Sequence, residues 1–178
     1  MDRIVIVSGP PGAGKTTIAR LLATRLAKSV HIKSDAFFDF ISSGFIEPWL
    51  AESRPQNEAV SRAVAASAVE FARGGFFTIV DGVIFGPILE VYRDAIDAAG
   101  FPLDYLVLLP GVEDVVRRGL ARAETPANLD EAVFREMHRQ FREFGLPSGH
   151  IVEPVGSPDS VAELVWVELE AGRLRLGR

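Results

Sequence analysis

The stretch Ser8-Gly9-Pro10-Pro11-Gly12-Ala13-Gly14-Lys15-Thr16-Thr17 constrains this chain more than any other. It reads G-x-x-x-x-G-K-T, the Walker A pattern of a phosphate-binding loop. Its flanks are those the pattern requires. Before it, Ile4-Val5-Ile6-Val7 is a continuous β-branched run, the mark of a strand buried on both faces of a parallel sheet. After it, Ile18, Leu21, Leu22 and Leu26 recur at helical spacing. The chain is therefore expected to run strand, loop, helix through the motif.

Each residue type in the motif has a physical task. Gly9, Gly12 and Gly14 lack a Cβ, so the backbone can come close to a phosphate. The loop spans Pro10, Pro11 and Ala13 up to the helix start; its N–H groups, which the two prolines lack, converge on the anion with the positive end of the following helix behind them. Lys15 is placed to reach the outer phosphates, and Thr16 to put its hydroxyl on Mg²⁺. Thr17 adds a further oxygen nearby. The expected ligands are ATP and Mg²⁺.

Composition narrows the remaining classes. A chain of 178 residues is expected to be one domain with a real core. The formal net charge of −5 argues against a general binder of nucleic acid or anionic membrane. With no cysteine there is no disulfide framework and no thiol nucleophile. No apolar run approaches a membrane span. The N-terminus enters a strand at once, without a signal peptide, so the expected location is the cytoplasm. The expected partners are ATP and a small hydroxylated acceptor. The oligomeric state is open.

Strands and helices alternate, which favours a parallel sheet covered on both faces. Strands are expected at residues 3–7, 30–33, 76–80, 104–109 and 150–155. Helices are expected from the loop to about Ala27, and over 56–73, 87–99, 112–123, 129–144 and 158–171. Pro87 and Pro158 suit first helical positions. Ser157 suits an N-cap, and Asn128 with Glu131 a capping box. The tail 172–178 is expected to be loosely held. Five strands with crossover helices make a three-layer α/β/α sandwich. Ligands in such sheets sit beyond the carboxyl ends of the strands. Asp35 follows strand two there, and Asp81 ends strand three.

These motifs together resemble the small P-loop kinases of the chloramphenicol phosphotransferase-like, nucleoside-kinase-like group. The resemblance rests on residues 9–16, Ser34-Asp35, Val80-Asp81-Gly82, the arginine helix around 117–122 and the turn Val155-Gly156-Ser157-Pro158. It implies the strand order 2-3-1-4-5, a lid around 117–130 and transfer of the ATP γ-phosphate to a small-molecule hydroxyl. Lys15, Asp35, Arg118 and Arg122 would be catalytic. Asp35 would orient the acceptor hydroxyl and take its proton; as a bare residue after a strand it could equally cap the next helix. Asp81 fits a Walker B position holding Mg²⁺ with Thr16, or faces the acceptor. Gly156 and Ser157 would lie against adenine. Arg117 lies near the lid arginines; Arg135, Arg139 and Arg142 are expected to face solvent.

The acceptor pocket is expected from Phe37, Phe38, Phe40, Phe45 and Trp49, an aromatic segment broken by Gly44 and Pro48. Phe38, Trp49, Arg54 and Asp81 are the named acceptor contacts beside Asp35, with Arg62 a further nearby cation. An apolar pocket suits a partly hydrophobic acceptor better than gluconate or shikimate. His31, His138 and His150 lack metal-ligand spacing and read as structural. Two alternatives stay open: a nucleotide or nucleotide-sugar kinase, including the toxin type, and a nucleotide-binding ATPase or switch. Against a switch, no D-x-x-G follows strand three. Against a mechanical ATPase, that strand ends Asp-Gly rather than Asp-Glu.

Overall fold

The computed structural model describes residues 3–121, 130–144 and 148–177. Its parallel strands are β1 (Ile4–Ser8), β2 (Ser29–Lys33), β3 (Phe77–Gly82), β4 (Leu103–Leu108) and β5 (Ile151–Val152). They form one five-stranded sheet in the order β2-β3-β1-β4-β5. The helices are α1 (Lys15–Ala23), α2 (Arg54–Arg73), α3 (Pro87–Ala98), α4 (Val112–Leu120), α5 (Glu131–Glu143) and α6 (Pro158–Glu170). The expected α/β/α sandwich and strand order are those found.

Strand periodicity divides the core between the two faces of the sheet. Along β1, Ile4 and Ile6 point into one cluster with Val64, Leu89, Tyr92 and Ile96 of α2 and α3. Val5 and Val7 point into the other, with Ile18 and Leu22 of α1 and Val161, Val165 and Leu169 of α6. All four β1 side chains have no solvent exposure. Burying each contributes roughly 1.5–3 kcal/mol, and this is why an uninterrupted apolar run sits in the middle of the sheet.

Three elements, α1, β5 and α5, depart from their expected bounds for local reasons. Helix α1 stops at Ala23, where the Thr24 hydroxyl bonds the Leu21 carbonyl at 2.9 Å and competes with the backbone ladder. Strand β5 keeps only two residues. Pro154 lacks an N–H, and His150 belongs to the preceding 3-10 turn, its Nδ1 2.9 Å from the Tyr105 carbonyl. The cap of α5 is Asp130, whose carboxylate accepts from the Val133 amide at 3.2 Å. Asn128 and the rest of 122–129 lie outside the described residues. Ser157 does cap α6, accepting from the Ser160 amide.

The tail is the larger correction. The Tyr105 amide donates to the Leu174 carbonyl at 2.9 Å, and the Leu176 amide to the Leu103 carbonyl at 3.0 Å. Leu174 has no exposure. Arg175 Nε donates to Asp104 at 2.8 Å, and Arg3 reaches the same fully buried carboxylate at 3.3 Å. A buried carboxylate must be paired, so Asp104 holds both ends of the chain to β4. Composition concealed this, because two leucines, Leu174 and Leu176, alternating with arginines read as solvated. Leu174→Ala should destabilise the protein by about 2–4 kcal/mol in urea unfolding. A loss under about 0.5 kcal/mol, the range of neutral surface changes, would return the tail to a loosely held segment.

Candidate functional site

Three segments meet at the carboxyl end of the sheet. The first is the loop 9–14. Gly9 has φ +144°, and a Cβ there would lie 2.3 Å from the Leu108 carbonyl oxygen. Gly12 has φ +85°, and its Cβ would lie 2.8 Å from the Val115 carbonyl oxygen and 3.0 Å from the Gly119 nitrogen. The loop is thus wedged between the end of β4 and the backbone of α4. Only glycine satisfies both the dihedral and the spacing. Within the loop, the Ala13 amide and the Lys15 ammonium both donate to the Pro10 carbonyl at 3.1 Å. Gly14 caps α1 from the left-handed region.

The second segment is the end of β3. Asp81 is buried, and the Thr16 hydroxyl donates to its Oδ2 at 2.5 Å. His31 Nε2, from β2, lies 3.2 Å from Oδ1, off the line of a well-formed hydrogen bond. Burial alone would raise the Asp81 pKa. The contacts from His31 and Thr16, with the positive charge of Lys15 nearby, outweigh it and hold the carboxyl below its usual range. A threonine hydroxyl beside an ionised carboxylate at the end of a phosphate loop is a hard oxygen pair that fits Mg²⁺.

The third segment is the 3-10 turn Ser34–Phe40 after β2. Ser34 packs so closely on Gly82 that a Cβ at Gly82 would lie 2.0 Å from its hydroxyl. This contact seats the Ser34-Asp35 and Asp81-Gly82 motifs side by side. Asp35 makes no capping bond to the turn. Its side chain is exposed, with the Ser34 hydroxyl 3.5 Å away.

Pro11 of the loop and Ser34 and Asp35 of the turn border a cleft of about 970 Å³; Thr16 and Asp81, the latter an expected acceptor contact, are not among its lining residues. One wall is the aromatic segment with α2 (Phe38, Phe45, Trp49, Asn57). Another is the β3–α3 connection with α3 (Val83, Phe85, Ile88, Tyr92), and α5 supplies Val133, Glu136 and Met137. Ser8 fixes the connection to the phosphate loop. Its hydroxyl donates to the Ile84 carbonyl at 2.6 Å and accepts from the Ile84 amide at 3.0 Å, while the Tyr105 hydroxyl donates to the same carbonyl. Burial pushes the phenols of Tyr92 and Tyr105 well up, and for Tyr92 the Asp35 charge adds to the rise.

Of the expected acceptor contacts, Phe38, Phe45, Trp49 and Asp35 line the cleft. Phe37 instead packs against the core, and Phe40 is 76 % exposed. Arg54 is ion-paired with Glu58 at 2.9 Å, and Arg62 lies 3.9 Å from the same carboxylate. Neither is among the residues lining the cleft. Arg118 stands on α4 with its Cβ 3.4 Å from where a Gly12 Cβ would be, and Arg117 pairs outward with Asp114. Arg122 lies outside the described residues. Gly156, at φ +94°, and Ser157 form an exposed turn after β5. Arg135 joins α5 to α4 through Glu113 at 2.9 Å.

Sequence reasoning passed over Asn57, Ser61 and Tyr92, and over α5 as a cleft wall, and it read His31 as structural without placing it beside Asp81. His31 is found from register, since β2 pairs Lys33 with Asp81 and brings its neighbour along. The other residues carry no local signal, because they read as ordinary helix positions.

A family model described as an AAA domain matches residues 4–144. The chain belongs to the AAA domain family. Kinases surround this AAA domain among its relatives. A shikimate kinase of Saccharopolyspora erythraea is 30% identical over 189 residues, with 97% of this chain and 99% of that one covered. The APS kinase of Mycobacterium tuberculosis, solved with AMPPNP and APS, has a TM-score of 0.70 at 20% identity, covering 94% of this chain and 97% of that one. The tunicamycin resistance protein of Deinococcus radiodurans has a TM-score of 0.69 at 17% identity, covering 99% of each chain. The AAA domain is here a kinase-like P-loop NTPase, of the class that carries out ATP-dependent phosphoryl transfer.

Gly12→Ala should abolish nucleotide binding, because the new methyl displaces the loop from α4. Titration with a fluorescent ATP analogue reads this directly. Binding within about threefold of the parent, a change near 0.6 kcal/mol on the scale of tenfold per 1.4 kcal/mol, would show that the loop tolerates the shift.

Proposed function

We propose that this protein is an ATP-dependent kinase that moves the γ-phosphate of ATP to a hydroxyl of a small, partly apolar molecule in the cytoplasm. A chloramphenicol-type aromatic alcohol is its specific form. The observation that carries the reading is the convergence of three features at the carboxyl end of the sheet: the glycine loop, the Thr16–Asp81 pair and, bordered by Pro11 of the loop, an aromatic cleft with Asp35 at its edge.

In this reading the residues divide the work. Loop amides and Lys15 hold the outer phosphates. Thr16 and Asp81 would hold Mg²⁺, which would supply positive charge to offset that of the phosphates. The acceptor lies along Phe38 and Trp49 with its hydroxyl at Asp35. Its oxygen bonds to the γ-phosphorus as the bond to the β–γ bridging oxygen breaks. The hydroxyl proton passes to Asp35, and ADP leaves. Arg118, with Arg122 and the lid around 117–130 of this single domain, offsets charge on the transferring group. Gly156 and Ser157 border adenine. Positioning and fixed charge supply most of the rate.

A shikimate-type acceptor is the second reading, favoured by the 30% identity to a shikimate kinase. It asks for a carboxylate partner, and among the described residues no lysine or arginine lines the cleft. A motor or switch is disfavoured because β3 ends in Asp81-Gly82, without the adjacent glutamate that would activate water.

The test is ADP release from Mg·ATP across a panel of hydroxylated antibiotics, nucleosides, nucleotide sugars and small sugars. Acceleration by one class supports the kinase. Steady hydrolysis that no class accelerates, and that a protein partner alters, would overturn it. Lys15→Ala should remove acceptor-dependent release. Asp35→Asn should lower kcat by about 10²–10⁴ with ATP affinity unchanged; collapse of ATP affinity would make Asp35 part of the nucleotide site instead.

A further inference from the structure

The polar groups bordering the cleft are unbalanced in one direction. Asp35 and Glu47 line it without an ion-pair partner of their own, and Glu136 lines it while sharing its charge with Arg139 at 2.6 Å. No lysine or arginine joins them among the described residues. The two arginines of α2 nearest in sequence are drawn off to Glu58.

A second feature is independent of these carboxylates. Asn57 donates through its amide nitrogen to the Pro48 carbonyl at 2.7 Å and to the Ser53 hydroxyl at 2.9 Å. Its Oδ1 is buried and has no hydrogen-bond partner, although the residue borders the cleft. A buried acceptor without a donor costs about 1–3 kcal/mol, and an N–H or O–H brought in by a ligand removes that cost. The third feature is aromatic. Phe38 and Phe45 meet edge to face with centroids 6.4 Å apart, and Trp49 lines the same wall. Ring faces attract cations and add nothing for anions.

Acceptor oxygens, unpaired carboxylates and ring faces are the complement of a hydrogen-bond donor carrying positive charge. An anion placed there would lose its hydration with no counter-charge to replace it. We propose that the acceptor is an amino alcohol: an apolar, aromatic or aliphatic body bearing a protonated amine, with the hydroxyl to be phosphorylated presented to Asp35. The inference rests on the kinase reading of the site. It separates this chain from relatives named for shikimate, a carboxylate. Glu47 and the Trp49 wall hold the ammonium, and Asn57 Oδ1 takes one of its N–H groups.

The test uses three probes on one scaffold: 2-amino-1-phenyl-1,3-propanediol (cation), its N-acetyl derivative (neutral) and N-acetylphenylserine (anion), with shikimate as a second anion. Binding is read by quenching of Trp49 fluorescence, with Trp49→Phe as the control, and turnover is read separately as ADP release. The cation should bind about tenfold or more tighter than either anion, the scale of a single lost charge pairing, with the neutral probe between. Glu47→Gln should shrink that gap while leaving ATP binding unchanged. Equal or tighter binding of an anion, or no quenching by any probe, overturns the inference. The expected order without ADP release would leave the charge preference standing and sink the kinase reading instead.

Discussion

The close approach of the phosphate loop to its neighbours is the constraint on which the rest of the site depends. Gly9 presses on the last carbonyl of β4, and Gly12 on the backbone of α4. Both distances are shorter than a side chain permits. The loop therefore cannot move independently of β4 and α4. Anything mounted on α4, Arg118 included, is indexed to the phosphates through backbone contact rather than through flexible side chains. The same helix accepts α5 by a matching economy of space: a Cβ on Gly119 would meet the Phe134 ring at 2.4 Å. Bare backbone on both faces of α4 thus transmits position from the loop to the wall of the acceptor cleft.

A second chain of contacts runs from the loop in the opposite direction. Ser8, the last residue of β1, both donates to and accepts from Ile84, so the β3–α3 connection is set by the residue that begins the phosphate loop. Thr16 meets Asp81 at the end of β3, and Gly82 admits Ser34 of the next turn. The groups proposed to hold the nucleotide, the metal and the acceptor are therefore not separate modules. They are joined by hydrogen bonds of about 2.5–3.0 Å. Precise relative placement is what phosphoryl transfer demands, because the protein contributes geometry and charge rather than covalent chemistry.

Which parts of this were legible in sequence follows from the range of the forces involved. The β1 run, the glycine loop and the start of α1 are local: adjacent residues dictate dihedrals, and the pattern needs no partner. Ser157 as a cap and Pro158 as a first helical residue were legible for the same reason. The tail was not, since its order depends on Asp104, seventy-one residues before Arg175. The aromatic segment was legible as a pocket only in part. Alternation of Phe37 and Phe38 between core and cleft is decided by a 3-10 turn, whose period no apolar pattern announces. Asn57, Ser61 and Tyr92 were invisible, because a helix position facing a cleft and one facing a core look alike until the opposite wall is known.

Family membership and site chemistry answer different questions here. The fold is shared with kinases named for different small molecules, and a common scaffold cannot choose among them. On the proposed reading the choice would lie in the cleft residues contributed by α2, the aromatic segment and α5, outside the strand–loop–helix core. An isolated carboxylate such as Glu47 costs little while it faces water and becomes decisive once an acceptor excludes that water. Binding of the acceptor thus raises the effective strength of every charge around it, Asp35 included. In the proposed reaction, the group that would take the hydroxyl proton is strengthened by the same desolvation that would select what enters.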